Sequence, residues 1–228
     1  MNFLDSIWLI PLFPLVGAAV MLLFGRRLAN SVIRILCPGT IFVSFIFSVG
    51  AVMLAGSEHK VHEVIKYLWM PPLHADWGFL LDPLSSVMIL VVTGIGFLIH
   101  VYATGYMAHE GGFYRFFGYL NLFVFFMLTL VLANNYLLLF VGWEGVGLCS
   151  YLLIGFYYHK KSAGDAGKKA FIVNRIGDAA FIVGMLLIFS IAGSLRFTEV
   201  NEFIEAHHFA AETAAWGILS TAALMLFI

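Results

Sequence analysis

From Phe116 to Tyr158 the chain runs for 43 residues with one Asp, Glu, Lys or Arg among them, Glu144. As a single helix at about 1.5 Å per residue this run would be roughly 64 Å long, twice the ~30 Å of bilayer hydrocarbon that a spanning helix must cross. The run must therefore fold as two spans. Its one strongly polar, turn-forming interruption is Asn134-Asn135, which divides it into a fourth helix, Phe116 to Ala133, and a fifth, Tyr136 to Tyr158.

The rest of the chain repeats the pattern. It is 62% hydrophobic and 11% charged, with a mean hydropathy of +0.97, far from the roughly 45–50% apolar and 25% charged make-up of soluble domains. Apolar runs predict a first helix over Ile7 to Phe24, a second over Ile35 to Ala55, a third from Pro83 to Tyr106 and a sixth over Ala166 to Ile191. Asp82 precedes Pro83 as an N-cap, and proline suits the first helical position because its missing N–H has no intrahelical partner there. A seventh apolar stretch opens at Thr213 and is still running at Ile228 without a cap or flanking charge, so the chain reads as truncated within helix 7. The first run lacks a small-residue cleavage signature and reads as a membrane helix, not a signal peptide. The expected class is an all-α integral membrane protein, a polytopic bundle of six complete transmembrane helices and the start of a seventh. Its divisions are a two-helix region over 1–82, with an external loop at 56–82, and a membrane domain over 83–228.

Charge sets orientation and excludes partners. Arg26, Arg27, Arg34, Arg115, Lys160, Lys161, Lys168 and Lys169 fall in the loops on one side, against Lys60, Lys66 and Arg196 on the other. Basic residues concentrate on the cytoplasmic side, which places the N-terminus outside. With 12 basic and 13 acidic residues, the chain lacks the basic excess that binds nucleic acid. Cys37 and Cys149 lie in apolar runs without paired spacing and read as small packing residues, not as metal or redox ligands.

Three ionisable residues remain at membrane depth: Glu144, Arg175 and Asp178. Such residues are expensive unless they face a bundle interior and find a partner, so each is a functional candidate. Glu144 lies about 12 Å below the outer end of its helix and Asp178 about 18 Å above the inner end of the next, which puts the two carboxylates near one depth. Arg175 and Asp178 are three apart, and Asn174 and Asp178 four apart, so they can meet on one helix face. Arg175 with Asp178 also fits a static intrahelical pair that only assists assembly. Glu144 has no base on its own helix, and its partner is expected on a neighbouring one. Gly142, Gly145 and Gly147 admit close helix packing beside it and leave room for water. A moving positive charge near such a carboxylate can switch its proton affinity.

Weaker candidates are His100, a relay candidate in the inner third of helix 3, and E-H-K-V-H-E at 58–63 and His207-His208, which lack further ligands for a metal. The glycines of G-W-E-G-V-G lie in an apolar helix and follow no strand, so they cannot form a dinucleotide loop. No nucleophile arrangement is present.

The stretches W-G-F-L-L-D-P-L-S-S, H-V-Y-A-T-G-Y-M, R-F-F-G-Y-L-N-L-F, A-N-N-Y-L-L-L-F-V-G-W-E-G-V-G-L-C-S-Y-L-L-I-G-F and N-R-I-G-D closely resemble the antiporter-like L subunit (chain 5 type) of respiratory complex I, the proton-pumping NADH:quinone oxidoreductase. The resemblance implies a subunit of about fourteen helices built on two inverted repeats, each forming a half-channel, with this chain supplying one half. It implies that Glu144 and Asp178 work with a lysine on a broken helix 7, which is not matched here, and that Arg175 precedes the aspartate. It further implies other membrane-arm subunits and the bilayer as partners, and a bacterial-type inner membrane or its equivalent as location. Flavin and iron–sulfur clusters are expected in other subunits, and none in this chain, which lacks cysteine ligand sets. Two other readings stay open: the large subunit of a multi-subunit cation/proton antiporter, and a structural membrane scaffold.

Overall fold

In hydrocarbon a backbone must satisfy its own N–H and C=O groups, and six helices of this chain are long and apolar enough to cross a membrane on those terms. The computed structural model describes residues 3–58, 61–70, 75–206 and 217–227. Its elements are α1 (Leu9–Phe24), α2 (Asn30–Glu58), β1 (His62–Met70), β2 (Ala75–Leu81), α3 (Pro83–Tyr106), α4 (Phe113–Val131), α5 (Tyr136–Ile154), α6 (Lys161–Ala192), α7 (Phe197–Ala206) and α8 (Ile218–Phe227). The six expected complete spans are all present. The second and sixth begin about a turn or more earlier than hydropathy alone gave, because polar residues at an interface continue a helix that the apolar count cuts short.

Local chemistry fixes the boundaries. At α3 the Asp82 carboxylate accepts from the Ser85 N–H at 2.6 Å, and the Ser85 hydroxyl accepts from the Asp82 N–H at 2.8 Å, with Pro83 in the first turn. At α5 the Asn135 side-chain oxygen accepts from the Leu138 N–H at 2.8 Å. Helix α6 ends on Gly193, which takes φ +69°, a left-handed conformation that suits glycine because it has no Cβ.

Helices α1 to α4 pack around two buried apolar clusters. Ile7, Ile10, Ile41, Ile89 and Leu128 join Phe79 and Leu81 of the second strand at one end; Met21, Ile33, Cys37, Phe113 and Phe117 fill the other. Between them lie buried polar groups. Pro14 has no N–H to give the Ile10 carbonyl one turn back, and the Ser44 hydroxyl of α2 donates to that oxygen at 2.6 Å. Cys37 and Cys149 are both free and buried, as packing residues would be.

Two elements lie outside the spans expected from the sequence, and the first departs from an all-helical reading. The external loop contains a β-hairpin, with β1 antiparallel to β2 in a register running from His62 opposite Leu81 to Met70 opposite Ala75. Its inner strand buries Asp76, Phe79 and Leu81, and the Leu80 N–H donates to the Leu132 carbonyl at the end of α4, 2.8 Å. The hairpin thus extends pairing onto the free carbonyl end of a helix. Between α6 and the last helix lies α7, an amphipathic helix that buries Val200. Of the expected seventh stretch, α8 packs on α6, while 213–216 and 228 are outside the described residues.

Candidate functional site

Helix α5 presents two faces with different work. Leu138, Gly142, Gly145 and Cys149 are its buried residues, and they recur at helical spacing. At Gly142 an added Cβ would stand 2.6 Å from the Leu130 backbone nitrogen of α4, and at Gly145 it would strike the Phe126 ring. Gly142 lets α5 approach the α4 backbone, and Gly145 makes room for the Phe126 side chain. The other face, Phe140, Glu144, Gly147 and Tyr151, looks toward α6. Phe140 stacks on Phe181 at 5.5 Å, and Tyr151 meets Phe171 at 5.7 Å.

Between these aromatic pairs sits the charged group. Arg175 Nη1 donates to Glu144 Oε1 at 2.6 Å, and its Nη2 donates to Oε2, a bidentate pairing that a guanidinium and a carboxylate form in one plane. Arg175 Nε lies 3.5 Å from Asp178 Oδ2, so one guanidinium spans both acids. The Phe171 ring lies under it, 4.6 Å from centroid to Cζ. The Trp143 indole N–H donates to Asp178 Oδ1 at 2.9 Å. Side-chain exposure falls from 43% at Arg175 through 23% at Glu144 to 6% at Asp178, so the group runs from an open face into the helix interface.

The structure thus brings Glu144, Arg175 and Asp178 into one cluster, with Glu144 partnered across helices as its sequence setting required. Asn174 is exposed and turns toward Gly147, where an added Cβ would lie 3.8 Å from its amide nitrogen; the partners of Asp178 are Trp143 and Arg175. Trp143 was missed by sequence reasoning. A tryptophan directly before the acid, one position round the helix, is the signal that was available.

His100 stands apart. Fully buried on α3, it has Nδ1 2.8 Å from the Gly96 carbonyl and Nε2 3.4 Å from the Asn121 amide nitrogen. Nδ1 facing a carbonyl must donate, which leaves Nε2 as the acceptor of a neutral ring. The Thr40 hydroxyl donates to Asn121 Oδ1 at 2.8 Å, which completes a chain across α2, α4 and α3. In the 58–63 motif, His62 lies 3.9 Å from Asp5 and Glu63 accepts from Asn134 at 2.8 Å; His59 and Lys60, like His207-His208, are outside the described residues.

A second polar junction ties the hairpin to the helix ends. Asn134 and Asn135, read from sequence as a turn, are buried. Asn135 donates to the Asp76 backbone carbonyl at 2.8 Å and to Asn134 Oδ1 at 2.7 Å. The Asp76 carboxylate, 1% exposed, pairs with Arg196 of the α6–α7 loop, which also reaches Glu199 at 3.2 Å. Partial desolvation pulls the Arg196 pKa down, but the hydrogen bond and charge of Asp76, with Glu199 and Glu63, more than offset this and raise it.

Two family models match the chain: "NADH-Ubiquinone oxidoreductase (complex I), chain 5 N-terminus" over residues 69–117 and "NADH:quinone oxidoreductase/Mrp antiporter, TM" over 133–228. Relatives named NADH-quinone oxidoreductase subunit L include that of Mycobacterium tuberculosis, 47% identical over 91% of this chain and 33% of the relative. That of Rickettsia bellii is 41% identical over 84% and 30%, and that of Neisseria meningitidis 38% identical over 100% and 35%. The chain spans about a third of the length of these relatives. Two solved structures share the fold. One, the archaeal membrane-bound sulfane sulfur reductase, has a TM-score of 0.80 at 17% identity, over 97% of this chain and 43% of that one. The other, the Mrp complex of Dietzia sp., has 0.73 at 22%, over 97% and 23%. With both models matched in chain order and relatives aligned over most of its length, the chain belongs to the NADH:quinone oxidoreductase/Mrp antiporter family of membrane subunits.

Proposed function

We propose that the chain is the N-terminal part of a proton-translocating, antiporter-like subunit of an NADH:quinone oxidoreductase, and that Glu144, Arg175 and Asp178 are stations of its proton path. The observation that carries this reading is the single guanidinium shared between two carboxylates on different membrane helices. With both acids ionised the group has a net negative charge. In hydrocarbon that charge is expensive and is relieved by a proton or by a second cation. Arg175 can lean on Glu144 or on Asp178, so a cation arriving at one acid frees the guanidinium for the other and changes which carboxylate holds the proton. The family resemblance offers a helix-7 lysine as that cation, moved by charge rearrangement elsewhere in the complex. His100 is the accessory station: its Nε2 takes an amide N–H, and its loss should reduce pumping less than loss of Glu144.

In this reading residues 1–82 form a two-helix and hairpin region, and 83–228 form the first half-channel. The N-terminus and hairpin face the outside of a bacterial-type energy-transducing membrane, and other membrane-arm subunits are partners. The test is Glu144→Gln in the full-length chain within its assembled complex, with NADH-driven proton uptake into vesicles as readout. Collapse of pumping with assembly intact is expected. Unchanged pumping would remove Glu144 from the path and favour a scaffold role. The second family description also names the Mrp antiporters; sodium-dependent transport without NADH would favour that class.

A further inference from the structure

Among the described residues, three grooves at the hairpin end of the bundle differ in charge. Two, between α2 and α3 and between α3, α4, α5 and α7, have Asp82 in their linings. The third, of about 330 Å³, lies between α1, α4 and the hairpin, and Lys66 is its charged residue; Trp8, Leu12, Leu15, Trp77 and Phe125 form most of its wall. Lys66 is exposed on β1, and its ammonium rests over the Trp8 ring at 4.9 Å. Among the described residues no carboxylate forms an ion pair with it. Asp5, three residues before Trp8, lies instead 3.9 Å from His62.

The geometry is that of an amphipathic slot at a membrane interface. Tryptophan rings settle at headgroup level, so Trp8 and Trp77 mark the depth at which a phosphate would lie. A lysine whose stem covers apolar surface while its ammonium stays in the polar zone is there without a carboxylate counter-ion among the described residues. Below it, the α1 wall from Trp8 to Leu15 descends about 10 Å, into the zone of the acyl chains. A free phosphate would use the lysine and leave the apolar wall empty; a zwitterionic lipid would use the wall but bring its own headgroup cation beside the lysine, so that only a lipid with net negative charge satisfies both.

We propose that this groove binds one anionic phospholipid from the leaflet on the hairpin side, its phosphate against Lys66 and one acyl chain along α1 between Trp8 and Leu15. The site is distinct from the Glu144 cluster and does not depend on proton translocation.

The test uses the full-length chain in its assembled complex, in nanodiscs that contain traces of phosphatidylglycerol or phosphatidylcholine with a photoactivatable group in the acyl chain. Phosphatidylglycerol should label the Trp8 to Leu15 segment more strongly than phosphatidylcholine, by roughly fivefold, the effect expected of one lysine near a membrane surface. Raising the salt should shrink that preference in the unaltered protein. Lys66→Gln should abolish it and Lys66→Arg retain it, while Leu12→Trp should block labelling by both lipids. Equal labelling by the two lipids, or a preference that survives Lys66→Gln, overturns the proposal and leaves only annular lipid at the groove.

Discussion

Arg175 and Glu144, 31 positions apart in the chain, are joined through both terminal guanidinium nitrogens and both carboxylate oxygens, with Nη1 to Oε1 at 2.6 Å. The pairing explains how a carboxylate persists in a run of 43 residues that has no other charge. Its counter-charge comes from the next helix, set at the matching level by the Phe140–Phe181 and Tyr151–Phe171 contacts above and below. The pair is also more exposed than Asp178 behind it, so it is the accessible end of the cluster.

Removing one member should cost more than removing both. Arg175→Gln leaves Glu144 without its cation at membrane depth, a loss on the order of 3 kcal/mol. The double variant Arg175→Gln with Glu144→Gln should recover at least about 1 kcal/mol of that, because the stranded charge of Glu144 is then gone and only Asp178 is left without the guanidinium. Equilibrium unfolding of the purified chain in bicelles measures both. Equal stabilities for the single and double variants would mean that the pair does not couple α5 to α6.

The Ser44 hydroxyl answers a defect created by Pro14, and the two should be coupled. Ser44→Ala strands the buried Ile10 carbonyl and should destabilise by about 1–2 kcal/mol. With Pro14→Ala, residue 14 regains an N–H for that oxygen, and Ser44→Ala should then have less than about half its effect. A mutant cycle by the same unfolding measurement decides it; additive effects would show that the serine has some other role.

The glycines near Glu144 should sort by what they face. Gly142→Ala pushes a methyl to within 2.6 Å of the Leu130 backbone, where nothing flexible can give, and should cost about 1–3 kcal/mol. At Gly147 the nearest atom would be 3.8 Å away, and alanine there should change stability by less than about 0.5 kcal/mol. Thermal denaturation of the two variants side by side is sufficient. If Gly147→Ala proves the more damaging, the assignment of α5 faces is wrong.

What sequence could reveal here followed from how local the determining physics was. The spans, the Asp82-Pro83 start and the Asn134-Asn135 break are set by hydropathy, capping and turn chemistry within a few residues, and they were legible. So was the candidate trio, because charges in an apolar run are conspicuous. The hairpin was not: β1 exposes Ile65, Tyr67 and Leu68 and lacks a clear alternation, and β2 is fixed by pairing with the end of α4, a contact about fifty residues away. Helix α7 had a readable signal in Phe197, Val200 and Ile204, three and four apart, but its polar composition masked it. The choice of Trp143 as a partner of Asp178 depends on helix rotation, which a single sequence leaves open.

The Asp76–Arg196 pair should prove the fastening of the hairpin to the α6–α7 loop. Asp76 is 1% exposed and one of its oxygens has no hydrogen-bond partner among the described residues, so Arg196 is the main compensation for a buried negative charge. Arg196→Met should therefore destabilise by about 3 kcal/mol. Adding Asp76→Asn should restore much of this, since the buried charge is gone and the Asn135 bond to the Asp76 backbone carbonyl needs no carboxylate. Hydrogen exchange localises the effect: in Arg196→Met, protection should fall along Ala75–Leu81 and at the start of α7, while the N-terminal turn of α3, capped separately by Asp82 and Ser85, keeps its protection. Uniform loss across all of these, or no recovery in the double variant, would show that the hairpin is held by its apolar contacts and not by the ion pair.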